Sequence, residues 1–254
     1  MPVVQWVAPQ VWAWRPGRVD VVARSVDAVL CLLPFEPAWF EGRVRALFVG
    51  HPAAAIRPGS APAVGRPRIA LCPGSRRSEV EALWPVLREV ARRLRRVWPD
   101  VGFVAPRAPG VELGGLDVAY VDRMADVAGC DAAVVASGTA TLELAALDVP
   151  MVVVYRVHPL TAAIARRMLT IDAIALPNVL AGRRIVPEHV QDLDPDQIAA
   201  DVVAWVGRRG QVPRALIASL CGATAIDAVA DEVAAWLTAA SPAPAGRRPA
   251  APGS

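Results

Sequence analysis

Residues 68–81, RIALCPGSRRSEVE, and residues 132–143, AAVVASGTATLE, decide the fold. Each stretch begins with a short apolar run, passes through a loop that contains Gly and Ser, and enters a segment with helical character. Short runs that are apolar on both faces are typical of parallel strands covered by helices on both sides. The sequence therefore predicts an α/β fold with a doubly wound, Rossmann-like parallel sheet.

The alternation of strand and helix continues around these stretches, and we assign residues 66–240 to one domain. The apolar periodicity predicts strands at 68–72, 101–105, 118–121, 132–136 and 151–155 and helices at 79–98, 196–206, 213–220 and 225–238. Residues 241–254, SPAPAGRRPAAPGS, have the composition of a disordered tail.

Residues 1–65 contain what remains of a second α/β domain. We predict strands at 3–8, 28–33 and 45–50 and a helix at 18–25. Three strands without further helices leave apolar faces uncovered, and such a domain usually needs about 100 residues. We therefore expect a homodimer or a complex with a separately encoded upstream half. Residues 57–67, RPGSAPAVGRP, have the composition of a linker.

The charged and sulfur-containing residues exclude several functions. All 27 basic residues are Arg, which excludes Schiff-base chemistry and a P-loop lysine. A net charge of +3 does not indicate a nucleic-acid partner. Four Cys without a CxxC pair indicate a reduced, cytoplasmic protein, and three His without ligand spacing give no reason to expect a metal. The apolar runs are too short to span a membrane.

The loop after the strand at 68–72 contains candidate phosphate-binding residues. Gly74 permits close approach of the backbone to an anion, and the free amides at the start of the next helix face it. The Ser75 hydroxyl and the Arg76 guanidinium are suited to holding a diphosphate. An ordinary turn is the alternative, with Ser75 or Ser78 as the N-cap and Glu81 completing a capping box with Ser78.

The loop after the strand at 132–136 repeats this pattern. Its candidate ligand-binding residues are Ser137, Gly138, Thr139, Ala140 and Glu143. The small residues form a second anion-binding turn, and Glu143, one helical turn further on, is placed to accept hydrogen bonds from a ribose. The alternative role of Glu143 is to stabilise the helix dipole. On periodicity alone, residues 176–184 are a loop, and they include Asn178, the only Asn.

Several segments together resemble the lipid-A-disaccharide synthase family. They are APQVWAWR (8–15), LLPFE (32–36), GHP (50–52), PGSRRSEVE (73–81), ASGTATLE (136–143), PMVVVYRVHPLT (150–161) and LPNVLAGRRIVPE (176–188). The resemblance implies an inverting glycosyltransferase with two-domain glycosyltransferase B architecture. The C-terminal domain of the family holds the UDP of a diacylglucosamine donor, and the N-terminal domain holds an acylated glucosamine 1-phosphate acceptor. The resemblance implies no metal and no cofactor.

The resemblance also suggests roles for individual residues. Ser75 and Arg76 match donor diphosphate contacts, with Arg76 stabilising the charge on departing UDP. Thr139, Ala140 and Glu143 match diphosphate and ribose contacts, and Asn178 lies in a motif near the family's cleft. We expect the catalytic base in the family's opening stretch, which has no counterpart here. The family's Lys-x-x-Tyr is replaced by Thr170 and Ala173.

Two other functions remain as alternatives at this point. One is a non-catalytic module that binds a UDP-sugar, and the other, ranked low, is a UDP-sugar 2-epimerase. The arginines at 92, 93, 95, 96, 166 and 167 raise a separate question, since they form either solvated helix faces or a surface for peripheral contact with an anionic membrane.

Overall fold

Parallel strands form two sheets in the computed structural model, which describes residues 3–13, 16–107, 110–156, 173–222 and 226–239. The first compact unit takes its described residues from 3–11, 16–50, 222 and 226–239. The second takes them from 12–13, 51–107, 110–156 and 173–221. The predicted α/β fold is confirmed, whereas the predicted tail at 241–254 lies outside the described residues.

The elements follow in chain order. The strands are β1 (Val4–Trp6), β2 (Ala28–Cys31), β3 (Arg45–Phe48), β4 (Arg68–Cys72), β5 (Gly102–Pro106), β6 (Ala119–Val121), β7 (Ala132–Ala136), β8 (Met151–Tyr155) and β9 (Glu188–Val190). The helices are α1 (Arg18–Ser25), α2 (Pro37–Phe40), α3 (Arg77–Val97), α4 (Thr139–Ala146), α5 (Leu176–Ala181), α6 (Pro195–Trp205), α7 (Arg214–Ala218) and α8 (Ile226–Ala239). Short 3-10 helices lie at Pro52–Ala55 and Met124–Val127.

The six-stranded sheet of the second unit has the order β6-β5-β4-β7-β8-β9, and all its strand pairs are parallel. The strand order reverses between β4 and β7, which pair directly, with Cys72 opposite Val135. Because both strands run in the same direction, the loops that follow them leave the same edge of the sheet side by side. This point of reversal is where doubly wound sheets bind their ligands.

Both faces of this sheet are buried, which explains why its strands are apolar throughout. Ile69 and Leu71 of β4 pack with α3 and α6 on one face. Ala70 and Cys72 belong to the core on the other face, together with Leu144 of α4. Alternate residues of one strand therefore enter different cores, as the geometry of a strand requires.

The first unit has a smaller parallel sheet with the order β1-β2-β3. All four residues of the central strand β2 are buried, whereas Trp6 on the edge strand β1 is 63% exposed. Helix α8 groups with this unit, and the Arg45 guanidinium lies 5.8 Å from the ring centroid of Trp236. The sequence places α8 in the other domain, and the domain boundary near residue 65 stays a prediction.

Residues 57–67 differ from the linker that their composition suggests. The Gly59 N–H donates to the Ala125 carbonyl at 2.8 Å, and the Gly102 N–H donates to the Pro67 carbonyl at 3.1 Å. A side chain at Gly65 would collide with the Asp100 carbonyl. Gly65 therefore permits close packing of two backbones instead of providing flexibility.

Candidate functional site

The first predicted loop follows β4 and contains a backbone conformation that only glycine adopts easily. Gly74 has φ of +104°, in the region that L side chains avoid. A Cβ at this position would also lie 2.6 Å from Glu79 Oε2. Gly74 is therefore required by its conformation, and the Glu79 side chain packs against it.

Glu79 caps the helix that begins after this loop. Helix α3 starts at Arg77, with Arg76 as the N-cap. Glu79 Oε2 accepts the Arg76 backbone N–H at 3.3 Å, and Glu79 Oε1 accepts from the Arg76 guanidinium at 2.7 Å. The alternative predicted above, a capping box of Ser78 with Glu81, is wrong because the helix begins two residues earlier than the periodicity suggests. Glu81 instead pairs with Arg77 at 3.0 Å.

The second predicted loop follows β7 and leads into α4. Gly138 has φ of +144° and is the N-cap of α4. The Thr141 hydroxyl donates to the Gly138 carbonyl at 2.7 Å, which fixes the first turn of the helix. Thr139 is exposed at the start of this helix and Ala140 is half-buried. The free amides of such a helix start attract anions.

Glu143 lies on the second turn of α4 and is half-buried. Burial disfavours the charged form, so it raises the pKa of the Glu143 carboxyl. Burial also raises the pKa of the Cys72 thiol at the end of β4, and the charges of Cys130 and Glu143 add to this effect. Glu143 therefore lies within electrostatic range of the end of β4, the strand from which the Gly74 loop departs.

Tyr155 was not predicted as a site residue, although it lies at the same edge of the sheet. It is the last residue of β8, the neighbour of β7, and it is half-buried. Burial raises the pKa of its hydroxyl, Glu79 raises it further, and Arg76 lowers it. Its position at the carboxyl end of a parallel strand was the available signal.

The predicted loop at 176–184 contains a short helix, α5, so the interpretation from periodicity is wrong. Pro177 lies in the first turn of α5, and Gly182 ends it with φ of +62°. A proline at the start and a glycine just past the end are characteristic of helices. Pro177 and Gly182 therefore indicate a helix in the sequence, whereas a helix of only six residues is too short to show a clear apolar periodicity.

Asn178 is fully buried within α5, and its side-chain amide makes four hydrogen bonds. Nδ2 donates to the Val186 carbonyl at 2.9 Å and to Glu188 Oε1 at 2.7 Å. Oδ1 accepts the N–H groups of Ile185 at 2.7 Å and Val186 at 2.9 Å. Both donors and both acceptor sites of the amide are thus used within the protein, which gives Asn178 a positioning role and leaves no group for a ligand.

Glu188 connects Asn178 to the second loop, a role that no sequence pattern indicated. Its carboxylate accepts the backbone N–H groups of Ile174 at 3.2 Å and Ala175 at 2.8 Å. The Ser137 hydroxyl in turn donates to the Ile174 carbonyl at 2.7 Å. The network therefore fixes one wall of the second loop, and the Ser137 hydroxyl proton is already engaged by the backbone.

The arginines of α3 are largely paired within the protein. Arg93 binds Asp196 of α6 at 2.7 Å and Glu89 at 2.7 Å, and Arg92 also pairs with Glu89. The Arg95 guanidinium lies 5.3 Å from the ring centroid of Phe103. These contacts favour a solvated helix face over a membrane-binding patch, while 166 and 167 lie outside the described residues.

The described residues contain neither a group of metal ligands nor a membrane-spanning helix. Across the ranges that the structure covers, no three His, Cys, Asp or Glu side chains are grouped so that they could hold a metal ion. No helix in those same ranges is both long enough and apolar enough to cross a bilayer.

Comparison with known proteins identifies the family. The family model described as lipid-A-disaccharide synthetase matches residues 1–206. The lipid-A-disaccharide synthase of Anaeromyxobacter dehalogenans strain 2CP-C is 45% identical, with 82% of this chain and 61% of the relative covered. That of Geobacter sulfurreducens is 42% identical, with 79% and 58% covered. The chain thus spans about three fifths of the length of the curated relatives it matches.

Solved structures give the same fold at much lower sequence identity. Spinosyn forosaminyltransferase SpnP aligns with a TM-score of 0.54 at 14% identity, over 92% of this chain and 70% of that one. Spinosyn rhamnosyltransferase SpnG aligns with a TM-score of 0.51 at 17% identity, over 92% and 67%. These likenesses confirm the predicted glycosyltransferase B fold, and the family model together with the curated relatives shows that the chain belongs to the lipid-A-disaccharide synthetase family.

Proposed function

We propose that the chain is the donor-binding part of a lipid-A-disaccharide synthase. It binds the UDP of a diacylglucosamine donor, whose sugar is transferred to an acylated glucosamine 1-phosphate. One observation carries this proposal: two glycine-containing loops, at Gly74 and Gly138, leave adjacent parallel strands where the strand order reverses. Glu143 supports the proposal, because it is half-buried on the helix that follows the Gly138 loop and its charge acts on Cys72 at the end of β4.

Each proposed contact follows from the chemistry of its group. The amides at the start of α4, around Thr139 and Ala140, hold the diphosphate, and Ser75 and Arg76 approach it from the other loop. Glu143 accepts hydrogen bonds from the ribose hydroxyls. Negative charge develops on UDP as the glycosidic bond forms, and Arg76 together with the helix amides stabilises it there. Asn178 does not contact the donor in this proposal. It acts indirectly, because its bond to Glu188 positions the backbone that forms one wall of the second loop.

The acceptor and the catalytic base belong to the part of the enzyme that matches no residue of this chain. We propose that activity requires this part together with the present chain, and that the enzyme works in the cytoplasm at the membrane surface where its lipid substrates lie. The open edge of β1, with the exposed Trp6, is consistent with association.

Isothermal titration of the chain with UDP tests the binding half of the proposal. Wild-type protein is expected to bind UDP, and Glu143→Ala to weaken binding about 5- to 150-fold, equivalent to about 1–3 kcal/mol for unpaired hydroxyl groups. Asp231→Ala is the matched control, because Asp231 is an exposed carboxylate on α8 in the first unit. Absence of heat at millimolar UDP contradicts the proposal.

A measurement of disaccharide formation tests the catalytic part of the proposal. With the acceptor-side polypeptide of a relative added, the chain is expected to form disaccharide from the UDP donor and the acceptor lipid. Binding of UDP without turnover under these conditions would favour the non-catalytic module instead.

A further inference from the structure

The Arg76 guanidinium, which the proposed function gives to the donor diphosphate, already has an anionic partner in the structure. Its NH1 group lies 2.7 Å from Glu79 Oε1. The other oxygen of the same carboxylate accepts the Arg76 backbone N–H at 3.3 Å. One carboxylate therefore binds both the side chain and the backbone amide of Arg76.

The Glu79 carboxylate also lies against the turn that an incoming phosphate would approach. A Cβ built at Gly74 would come within 2.6 Å of Glu79 Oε2, so the carboxylate covers this face of the loop. Carboxylate and phosphate oxygens seek the same donors, namely guanidinium groups and free amides at helix starts. Two anions cannot share these donors without repulsion, so one must give way.

The ion pair is suited to exchange because it is exposed. The Arg76 side chain is 79% exposed and that of Glu79 is 30% exposed. Exposed pairs are weak because water competes for both partners, and they break at little cost. A diphosphate carries more charge than one carboxylate and is held by a second loop as well, so it outcompetes Glu79 once bound.

We propose that Glu79 is a positioning residue. It holds Arg76 against the Gly74 loop in the free protein, and the Arg76 guanidinium exchanges Glu79 for the donor diphosphate when the donor binds. This inference rests on the proposed function and deepens it. Glu79 orders the loop when no donor is bound, and its charge opposes donor binding by the strength of the pair that must open.

Titration of Glu79→Gln with UDP tests the exchange. Glutamine keeps the size of the side chain and can still accept the Arg76 N–H, but it loses the charge. We expect UDP affinity to rise about two- to fivefold, the range that an exposed ion pair allows. Uridine, which lacks the diphosphate, should bind both proteins equally. Glu79→Ala, which also frees Arg76, serves as the second variant and should shift UDP affinity in the same direction.

Two controls separate exchange from general electrostatics. Glu81→Gln removes the same charge from the same helix, but Glu81 pairs with Arg77, so UDP affinity should not change. In an Arg76→Met background, Glu79→Gln should lose its effect, because no guanidinium remains to be released.

The outcomes are distinct. Weaker UDP binding by Glu79→Gln, or an equal gain in Glu81→Gln or with uridine, overturns this inference and leaves the proposed function standing. Wild-type protein that fails to bind UDP overturns the proposed function and this inference with it.

Discussion

Replacing Asn178 by Ala distinguishes a residue that positions the site from one that contacts a ligand. The resemblance to the family suggests a place near the cleft, whereas the structure buries the side chain and surrounds it with protein partners. A positioning residue stabilises the protein in the absence of any ligand. The free energy of unfolding is therefore the quantity to measure.

The hydrogen bonds of the amide set the expected magnitude. The side chain makes four of them, and one joins it to the carboxylate of Glu188. A buried hydrogen bond contributes about 1 kcal/mol net, and a group left unsatisfied costs about 1–3 kcal/mol. Asn178→Ala should therefore lower the free energy of unfolding by about 3–5 kcal/mol.

Urea denaturation followed by far-ultraviolet circular dichroism, without nucleotide, measures this loss. Gln211→Ala removes an exposed side-chain amide of the same unit and should change stability by less than about 0.5 kcal/mol. A loss below about 1 kcal/mol for Asn178→Ala, combined with markedly weaker UDP binding, would refute the positioning role.

Three further outcomes follow from buried titratable groups. Burial raises the pKa of Glu143, so its contribution to stability is fully present below the ordinary value of 4.5 and is lost as pH rises through the raised folded value. Glu143→Gln should therefore raise the urea midpoint at pH 7 while weakening UDP binding, and an unchanged or lower midpoint contradicts this. Cys221 is exposed and the other three thiols are buried with raised pKa, so a disulfide reagent should label one thiol rapidly in the native protein and four after denaturation; rapid labelling of a second thiol counts against the buried assignment. Burial lowers the pKa of His51, whose Nδ1 accepts the Ala53 N–H at 3.0 Å. The contribution of His51 to the free energy of unfolding is present above pH 6.5 and is lost as the pH falls through the lowered pKa of the folded protein. A proton NMR titration of the His51 ring with a midpoint at or above pH 6.5 would disprove this.

The sheet was predictable because its signal is local. The strands β4, β7 and β8 begin and end at the predicted residues, since each is a five-residue segment, apolar except for Arg68, that is bounded by polar or turn-forming residues. Strand β9 was missed, because its three residues, Glu188–Val190, are not an apolar run. They become a strand only by pairing with β8, which lies far away in the sequence.

The candidate site was predictable in outline but not in its supporting contacts. The Gly74 and Gly138 loops follow directly from strand–glycine–helix patterns. The partners of Asn178 and the role of Glu188 depend on contacts between α5, β9 and the second loop, and no single window of sequence contains all three. Glu79 as the capping residue was hidden for a simpler reason, because Ser78 and Glu81 offered a more familiar capping pattern.

The division of the chain into units has a consequence for the order of folding during synthesis. The first unit is discontinuous, since its sheet lies in the first 50 residues while helix α8 follows the whole second unit. Domains usually fold as the ribosome releases them, with the N-terminal one leading. Here the second unit is synthesised completely before Trp236 becomes available to contact Arg45, so the first unit begins earlier in the chain than the second and is completed later.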